Sequence, residues 1–304
     1  MPKPLRGIIP PMVTPLLDPD TLDQAGLERL IEHILAGGVH ALFILGTTGE
    51  TASLSHRLRC ELVERACALV NRRLPVLVGI TDTSFVESVK LAGRAAQAGA
   101  QALVLGPPYY YTINQQELLE YLRHIVPQLP LPVVLYNIPI YPKPAFAAET
   151  VVAASDLPGI IGIKDSSGDM VYFRRLQSLL KHKPDFSLFV GSEQLLAETI
   201  LLGGHGGICG GANLAPRLYV DLYNAACAKD LPAAQSLHET IMQINETIFD
   251  VCQSPWSFIK TLKYALSSMG ICSDLPAEPF QHLGDRERDL IRCRLEEMRF
   301  MQSK

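Results

Sequence analysis

The chain has no surplus of positive charge. Of its 304 residues, 27 are Lys or Arg and 31 are Asp or Glu, giving a formal net charge of −4. Tracking a phosphate backbone takes an excess of cations, so nucleic acid is not an expected partner. A metal framework is also missing. The eight His form no HxH or HExxH, and the seven Cys form no CxxC, so neither type of zinc site is expected. An odd number of Cys in a chain this long speaks for reduced thiols in a cytoplasm rather than a disulfide scaffold. The opening MPKPLRGIIPPMVTP contains no apolar run long enough for a signal peptide or a membrane span, and a soluble protein without membrane contact is expected. There is no internal repeat and no low-complexity tract.

What the chain does have is apolar residues, 48% of the total, arranged in short continuous runs. Candidate strands are Gly7–Val13, Ala41–Leu45, Val76–Gly79, Ala102–Leu105, Val133–Tyr136, Ile160–Lys164, Leu188–Val190 and Gly207–Cys209. Continuous rather than alternating apolarity suits parallel strands covered on both faces. Helical segments lie between them. Leu22–Ala36 stops at Gly37-Gly38, and Ser55, Ser84 and Asn114 are placed as N-caps of the next three. Pro144–Ser155 is short, Ser192 precedes EQLLAETILL, and Pro216 fits the first turn of a segment to Ala228. Eight β–α units in series predict an α/β fold, a closed (β/α)8 TIM barrel. The rival is an open doubly wound sheet, and no GxGxxG follows the first strand to support its dinucleotide-binding form. Strand signals stop after Ala228. The expected organisation is a barrel over residues 1–228 carrying the active site, followed by a helical subdomain over 229–304 with about three helices.

Barrel enzymes place their chemistry at the C-terminal ends of the strands. At those ends stand GTTGE (46–50), PPYYYTIN (107–114), YNIP (136–139), Lys164, GSE (191–193) and GGHGGICGG (203–211). Lys164 is the centre of the set. An amine attacks a ketone only when deprotonated, and burial favours the neutral form of an amine. Such a lysine forms a Schiff base that acts as an electron sink. The competing reading is a structural lysine paired with Asp165 or another carboxylate. Tyr136 ends the neighbouring strand, about 4.8 Å away in a regular sheet, where a phenol can carry protons for imine formation. In isolation it would read as a core aromatic. The glycines of GTTGE permit a tight turn, and Thr47 and Thr48 offer hydroxyls and N–H groups to a carboxylate; a plain βα turn is the alternative. The glycine-rich 203–211 stretch reads equally as a barrel phosphate site or as tight rim packing, and His205 as structural.

Together these pieces resemble the dihydrodipicolinate synthase/N-acetylneuraminate lyase family of class I pyruvate aldolases. The match rests on GTTGE, PYY at 108–110, YN-I-P at 136–139, GIKDSSGD at 162–169 and GGHGGI at 203–208, in family order over most of the chain. The resemblance implies that Lys164 is the Schiff-base lysine for pyruvate and Tyr136 the proton relay. It implies that Thr47 and Thr48 grip the pyruvate carboxylate and that the Ile208 backbone lines the pocket. Tyr110 matches a tyrosine that reaches into a neighbouring subunit, which implies a homo-oligomer, commonly a tetramer built as a dimer of dimers. No metal or organic cofactor is implied.

The departures bear on substrate. Synthases of this family usually follow YNxP with Ser-Arg-Thr-Gly, the arginine pairing with the aspartate semialdehyde carboxylate. Here Tyr141 holds that position, and Pro142 and Lys143 follow. A phenol supplies no bidentate cationic fork, and whether Tyr141 or Lys143 replaces it stays open. His56 matches one position of the family's lysine-feedback site, but Arg59 stands where a histidine is usual in some members. After strand 7, Gly191, Ser192 and Glu193 occupy the place where N-acetylneuraminate lyases bind sugar hydroxyls. Ser192 is equally an N-cap, and Glu193 a first-turn acid. The expected activity is cleavage of a 2-keto-3-deoxy sugar acid, or a related 2-oxo acid, to pyruvate and an aldehyde. Dihydrodipicolinate synthase itself and dehydration of a keto-deoxy sugar acid are alternatives that start from the same imine. A non-catalytic paralogue would require a broken site, whereas Lys164, Tyr136, Thr47 and Tyr110 are all present.

Overall fold

The computed structural model describes residues 3–140, 144–252 and 256–298. Tyr141, Pro142 and Lys143 therefore lie outside the described residues. Eight parallel strands follow one another around the barrel: β1 Gly7–Ile8, β2 Leu42–Ile44, β3 Val76–Gly79, β4 Ala102–Leu105, β5 Val133–Asn137, β6 Ile160–Asp165, β7 Ser187–Val190 and β8 Gly206–Gly207. β8 pairs with β7 on one side and β1 on the other. Closure between β1 and β2 is made by Phe43 N–H to the Pro10 carbonyl (3.0 Å) and Met12 N–H to the Phe43 carbonyl (2.8 Å). The expected first strand, Gly7–Val13, is regular only over Gly7–Ile8 because Pro10 and Pro11 have no N–H to donate. Their stretch still closes the barrel, with the Pro10 carbonyl as acceptor and the Met12 N–H as donor.

Apolar side chains fill two separate layers, which explains the continuous runs. One cluster lies inside the barrel and includes Ile9, Phe43, Leu77, Val104, Val134, Tyr136, Phe189 and Ile208. The larger cluster lies between strands and helices. Along β5, Val134 and Tyr136 point inward, while Val133 and Leu135 meet the helices, the two-residue alternation of a strand.

The helices are α1 Gln24–Ala36, α2 His56–Val70, α3 Phe85–Ala98, α4 Gln115–Ile125, α5 Ala148–Ala154, α6 Met170–Leu179, α7 Leu196–Leu201 and α8 Pro216–Cys227. Ser55, Ser84 and Asn114 cap α2, α3 and α4 through side-chain acceptors, and Asn114 forms a full capping box with Glu117. Two elements were not expected from the sequence. α6 is capped by Asp169, whose carboxylate accepts from Val171 and Tyr172 N–H. A short antiparallel pair, Leu16–Asp18 with Thr21–Leu22, precedes α1. Asp23, inside the expected first helix, is its N-cap instead and accepts from Gly26 N–H. Ser192 makes no capping bond: a 3-10 turn, Glu193–Leu195, opens the segment and only Leu196–Leu201 is α-helical.

After α8 come α9 Leu231–Ile244, α10 Ser257–Ser268 and α11 Asp285–Glu297. Their buried residues, among them Ile241, Ile244, Leu262 and Ile291, belong to the same apolar cluster as the strand–helix layer. His205 holds structure, since its Nδ1 accepts from Leu188 N–H at 3.1 Å. Burial, assisted by the charge of Arg6, pushes its imidazole down to about 4.

Candidate active site

Register brings the amine and the phenol together. Lys164 on β6 pairs directly with Tyr136 on β5, so both side chains leave the sheet on the same side, into the barrel. The Lys164 side chain is almost fully enclosed, at 3% exposure. Its Nζ lies 4.2 Å from the centre of the Tyr136 ring and 5.5 Å from that of Phe43. Tyr136 Oη is 3.3 Å from Thr47 Oγ1. The amine thus lies over the face of the phenol ring, and the phenol hydroxyl meets that of Thr47.

Asp165 does not pair with the lysine. It accepts from Asn137 Nδ2 (2.8 Å), Ser167 N–H (3.1 Å) and Ser167 Oγ (2.9 Å). No carboxylate among the described residues lies within 4.0 Å of the Lys164 amine. The reading of Lys164 as a structural ion-pair partner therefore has no support here. Burial raises the Asp165 carboxyl above its ordinary range, with the Asn137 and Ser167 bonds opposing.

Around Lys164 lies a cavity of about 220 Å³. Thr47, Thr48, Tyr136, Gly191, Ser192 and Ile208 all line it. Ser166, Gln194 and Asn245 add hydroxyl and amide groups, and Trp256 and Phe258 form an apolar wall. Gly191 is required by close approach: a Cβ there would stand 1.9 Å from Ser166 Oγ and 3.1 Å from Lys164 Cε.

Tyr110 is not part of this inner cavity. Its ring is 81% exposed, edge-on to Tyr111 at 5.0 Å between centroids. It lines an outer, mostly apolar cavity of about 400 Å³ that shares Thr47, Tyr136 and Trp256 with the inner one. Tyr110 (φ 82°), Leu45 (φ 57°) and Glu50 (φ 56°) all have left-handed backbone, unfavourable for a side-chain-bearing residue. Leu45 and Glu50 bracket the turn that carries Thr47 and Thr48.

Glu193 lies in the first turn of the 3-10 segment, as a first-turn acid would, but its side chain turns inward. It is buried, and accepts from Gly211 N–H, from the Tyr219 hydroxyl, and from Asn245 Nδ2 at 3.3 Å. Burial pushes its carboxyl up, partly offset by those three donors and by the nearby Lys164 charge. Tyr219 and Asn245 lie 26 and 52 residues away, so no local signal links them to it. Glu50 was likewise not read as more than the end of a motif, yet it forms a fully buried ion pair with Lys263 of α10.

His56 and Arg59 meet at a separate cavity of about 190 Å³, also lined by Asp82, Glu87, Lys90 and Arg94. Both contact Asp82 Oδ2, at 3.1 and 2.6 Å. Burial opposes ionisation of Asp82, but the Ser84 N–H and the Arg59 guanidinium hold its carboxyl below the ordinary range. Among the described residues no cluster of three or more His, Cys, Asp or Glu is arranged to hold a metal ion. No described helix is long and apolar enough to cross a membrane.

A buried amine beside a phenol–hydroxyl pair, at the C-terminal mouth of a (β/α)8 barrel, is the arrangement of a Schiff-base aldolase. The chain belongs to the dihydrodipicolinate synthetase family, whose profile matches residues 4–298. It is 35% identical over 280 residues to the probable 2-dehydro-3-deoxy-D-pentonate aldolase YjhH of Escherichia coli K12, covering 91% of this chain and 90% of that one. A solved dihydrodipicolinate synthase from Bacteroides thetaiotaomicron is 54% identical, with a TM-score of 0.95 over 98% of this chain and 100% of that one. YagE from Escherichia coli K12, a member of the same family solved with pyruvate, is 30% identical with a TM-score of 0.90, covering 97% and 99%. The protein is an enzyme, a lyase of the class I pyruvate aldolase type.

Proposed function

We propose that the enzyme cleaves a 2-keto-3-deoxy sugar acid, reversibly, to pyruvate and a hydroxylated aldehyde. Lys164 Nζ adds to the C2 ketone and water leaves, giving the imine. Tyr136, linked to Thr47, carries the protons of that step. Removal of the C4 hydroxyl proton lets the C3–C4 bond break, with its electron pair passing into the iminium to leave an enamine and the free aldehyde. Protonation at C3 and hydrolysis release pyruvate and regenerate the amine. Thr47 and Thr48 hold the substrate carboxylate, the Ile208 backbone and Gly191 form the floor beside it, and Ser192 faces the substrate hydroxyls. The imine supplies the electron sink that a cofactor would otherwise provide. Tyr110 completes the site of a second copy, so the active unit is an oligomer, a tetramer built as a dimer of dimers, working in the cytoplasm.

One observation carries the substrate class. Among the described residues, neither the inner nor the outer cavity is lined by any Arg, Lys or His other than Lys164. The inner one offers Ser166, Ser192, Gln194 and Asn245 instead. Among these described lining residues a second carboxylate, as in aspartate semialdehyde, would meet no cationic partner, whereas hydroxyls would find theirs. The second reading, condensation of pyruvate with aspartate semialdehyde, is favoured by the 54% identity to the Bacteroides synthase.

Competing the acceptors decides between them. Purified enzyme supplied with pyruvate and a panel of short hydroxyaldehydes should show kcat/KM at least about 100-fold above that with aspartate semialdehyde, the scale set by one unmatched buried polar group. The reverse order would establish the synthase reading. For the floor of the site, Gly191→Ala should raise the KM for pyruvate roughly tenfold, because its methyl displaces Ser166 and crowds the Lys164 stem by an overpacking cost of about 1–3 kcal/mol. An unchanged KM would remove Gly191 from the pocket.

A further inference from the structure

Far from the reacting amine in sequence, Lys263 Nζ lies 2.6 Å from Glu50 Oε2, with both side chains fully excluded from solvent. The other carboxylate oxygen, Oε1, accepts from Ala277 N–H at 2.7 Å. Each carboxylate oxygen of Glu50 therefore has a partner from the C-terminal helical part. It is also the last residue of GTTGE. Its N–H donates to the Thr47 carbonyl at 2.9 Å, and the preceding Gly49 carbonyl accepts from Thr14 Oγ1 at 2.7 Å. The left-handed backbone at Glu50 is unfavourable and must be held by its surroundings.

Lys263 stands on α10 one turn after Ile259, on the same helix face. Ile259, Phe258 and Trp256 line the same inner cavity as Thr47 and Thr48. Two walls of one cavity, contributed by segments more than 200 residues apart, are thus joined by a single buried charge pair.

We propose that Glu50 and Lys263 are positioning residues. The pair fixes the Thr47–Thr48 turn against α10, and through it the site where the substrate carboxylate binds and the hydroxyl that meets Tyr136. The proposal rests on the imine mechanism given above. A pair that merely fastened the C-terminal helices would lower stability and leave the kinetic constants of the folded enzyme alone. A positioning pair changes those constants, because a displacement near 1 Å in a bound geometry costs about 100-fold in rate.

The test uses E50Q/K263M, in which both charges go and both shapes stay. Removing one partner alone would strand a buried charge, whereas neutral replacement of both is often tolerated. E50D is the second variant: it keeps the charge and withdraws the carboxylate by one methylene. Folding is followed by circular dichroism and thermal melting, and kcat and KM for pyruvate are measured on the folded fraction. The expected result is a folded protein whose KM for pyruvate rises about 10- to 100-fold in the double variant, with E50D intermediate. Variants that fold and keep the parent KM overturn the proposal, as do variants that fail to fold, which would make the pair a folding element. Borohydride trapping of pyruvate on the parent enzyme is run alongside. No adduct there overturns the imine mechanism as well, while an adduct with unmoved variant constants overturns the positioning role alone.

Discussion

Lys164→Ala is expected to abolish both the borohydride-trapped pyruvate adduct and turnover, a loss on the order of 10⁴-fold or more. The lysine is the only basic residue lining either cavity among the described residues, so no neighbour stands ready to take over the covalent step. The fold should survive. β6 is tied to β5 and β7 by backbone pairing on both sides, and losing the side chain removes a buried amine that makes no ion pair within 4.0 Å among the described residues. Mass measurement of the trapped protein is the decisive readout. An adduct on another lysine, or turnover near the parent level, would refute the assignment.

Tyr136→Phe isolates the phenol from its ring. The aromatic packing on Phe43, edge-to-face at 6.4 Å, and the face presented to Lys164 both remain, and only the hydroxyl that meets Thr47 is lost. General acid–base assistance of this kind contributes about 10²–10⁴-fold. The variant should lose that much in kcat, with little change in the KM for pyruvate, and should still trap pyruvate, slowly. A kcat within a few-fold of the parent would mean that protons move by another route. Thr47→Val then removes the hydroxyl that meets Tyr136 while keeping its shape, and a loss in kcat marks its relay role where a rise in KM marks carboxylate binding.

The expectation for Lys164 could be drawn before the fold was known because its signal is local, whereas that for Tyr136 came from the ordered set of family motifs. A lysine ending an apolar run is visible in four residues. The N-caps at Ser55, Ser84 and Asn114 are set by side chains that reach only three residues ahead. Helix α6, missed in the sequence, has the same kind of cap at Asp169. The helix-versus-turn choice at Ser192 was harder, because the segment stays 3-10 for its first turn and Glu193 turns inward to Tyr219, Asn245 and Gly211. Those partners are supplied by the closed barrel and the helices behind it. Glu50 is the clearest case: its motif marked the turn, but Lys263 lies 213 residues away. No periodicity or spacing can link such a pair. The strands were legible in number and order, and inexact at β1 and β8, where proline and glycine weaken regular pairing.

One irregularity in the sheet governs everything placed on it. Between β5 and β6 the pairing passes from Val133 opposite Ile160 to Val134 opposite Gly162, so Ile161 is an extra residue. Were the ladder unbroken, Tyr136 would face Ile163, and Lys164 would fall opposite Asn137 with its amine turned out toward the helices. The bulge works like a change of reading frame. One inserted residue decides which half of the strand is spoken into the active site, and it carries the nucleophile across from the helix layer to the cavity. The chemistry this site can do is thereby written into the phase of a strand.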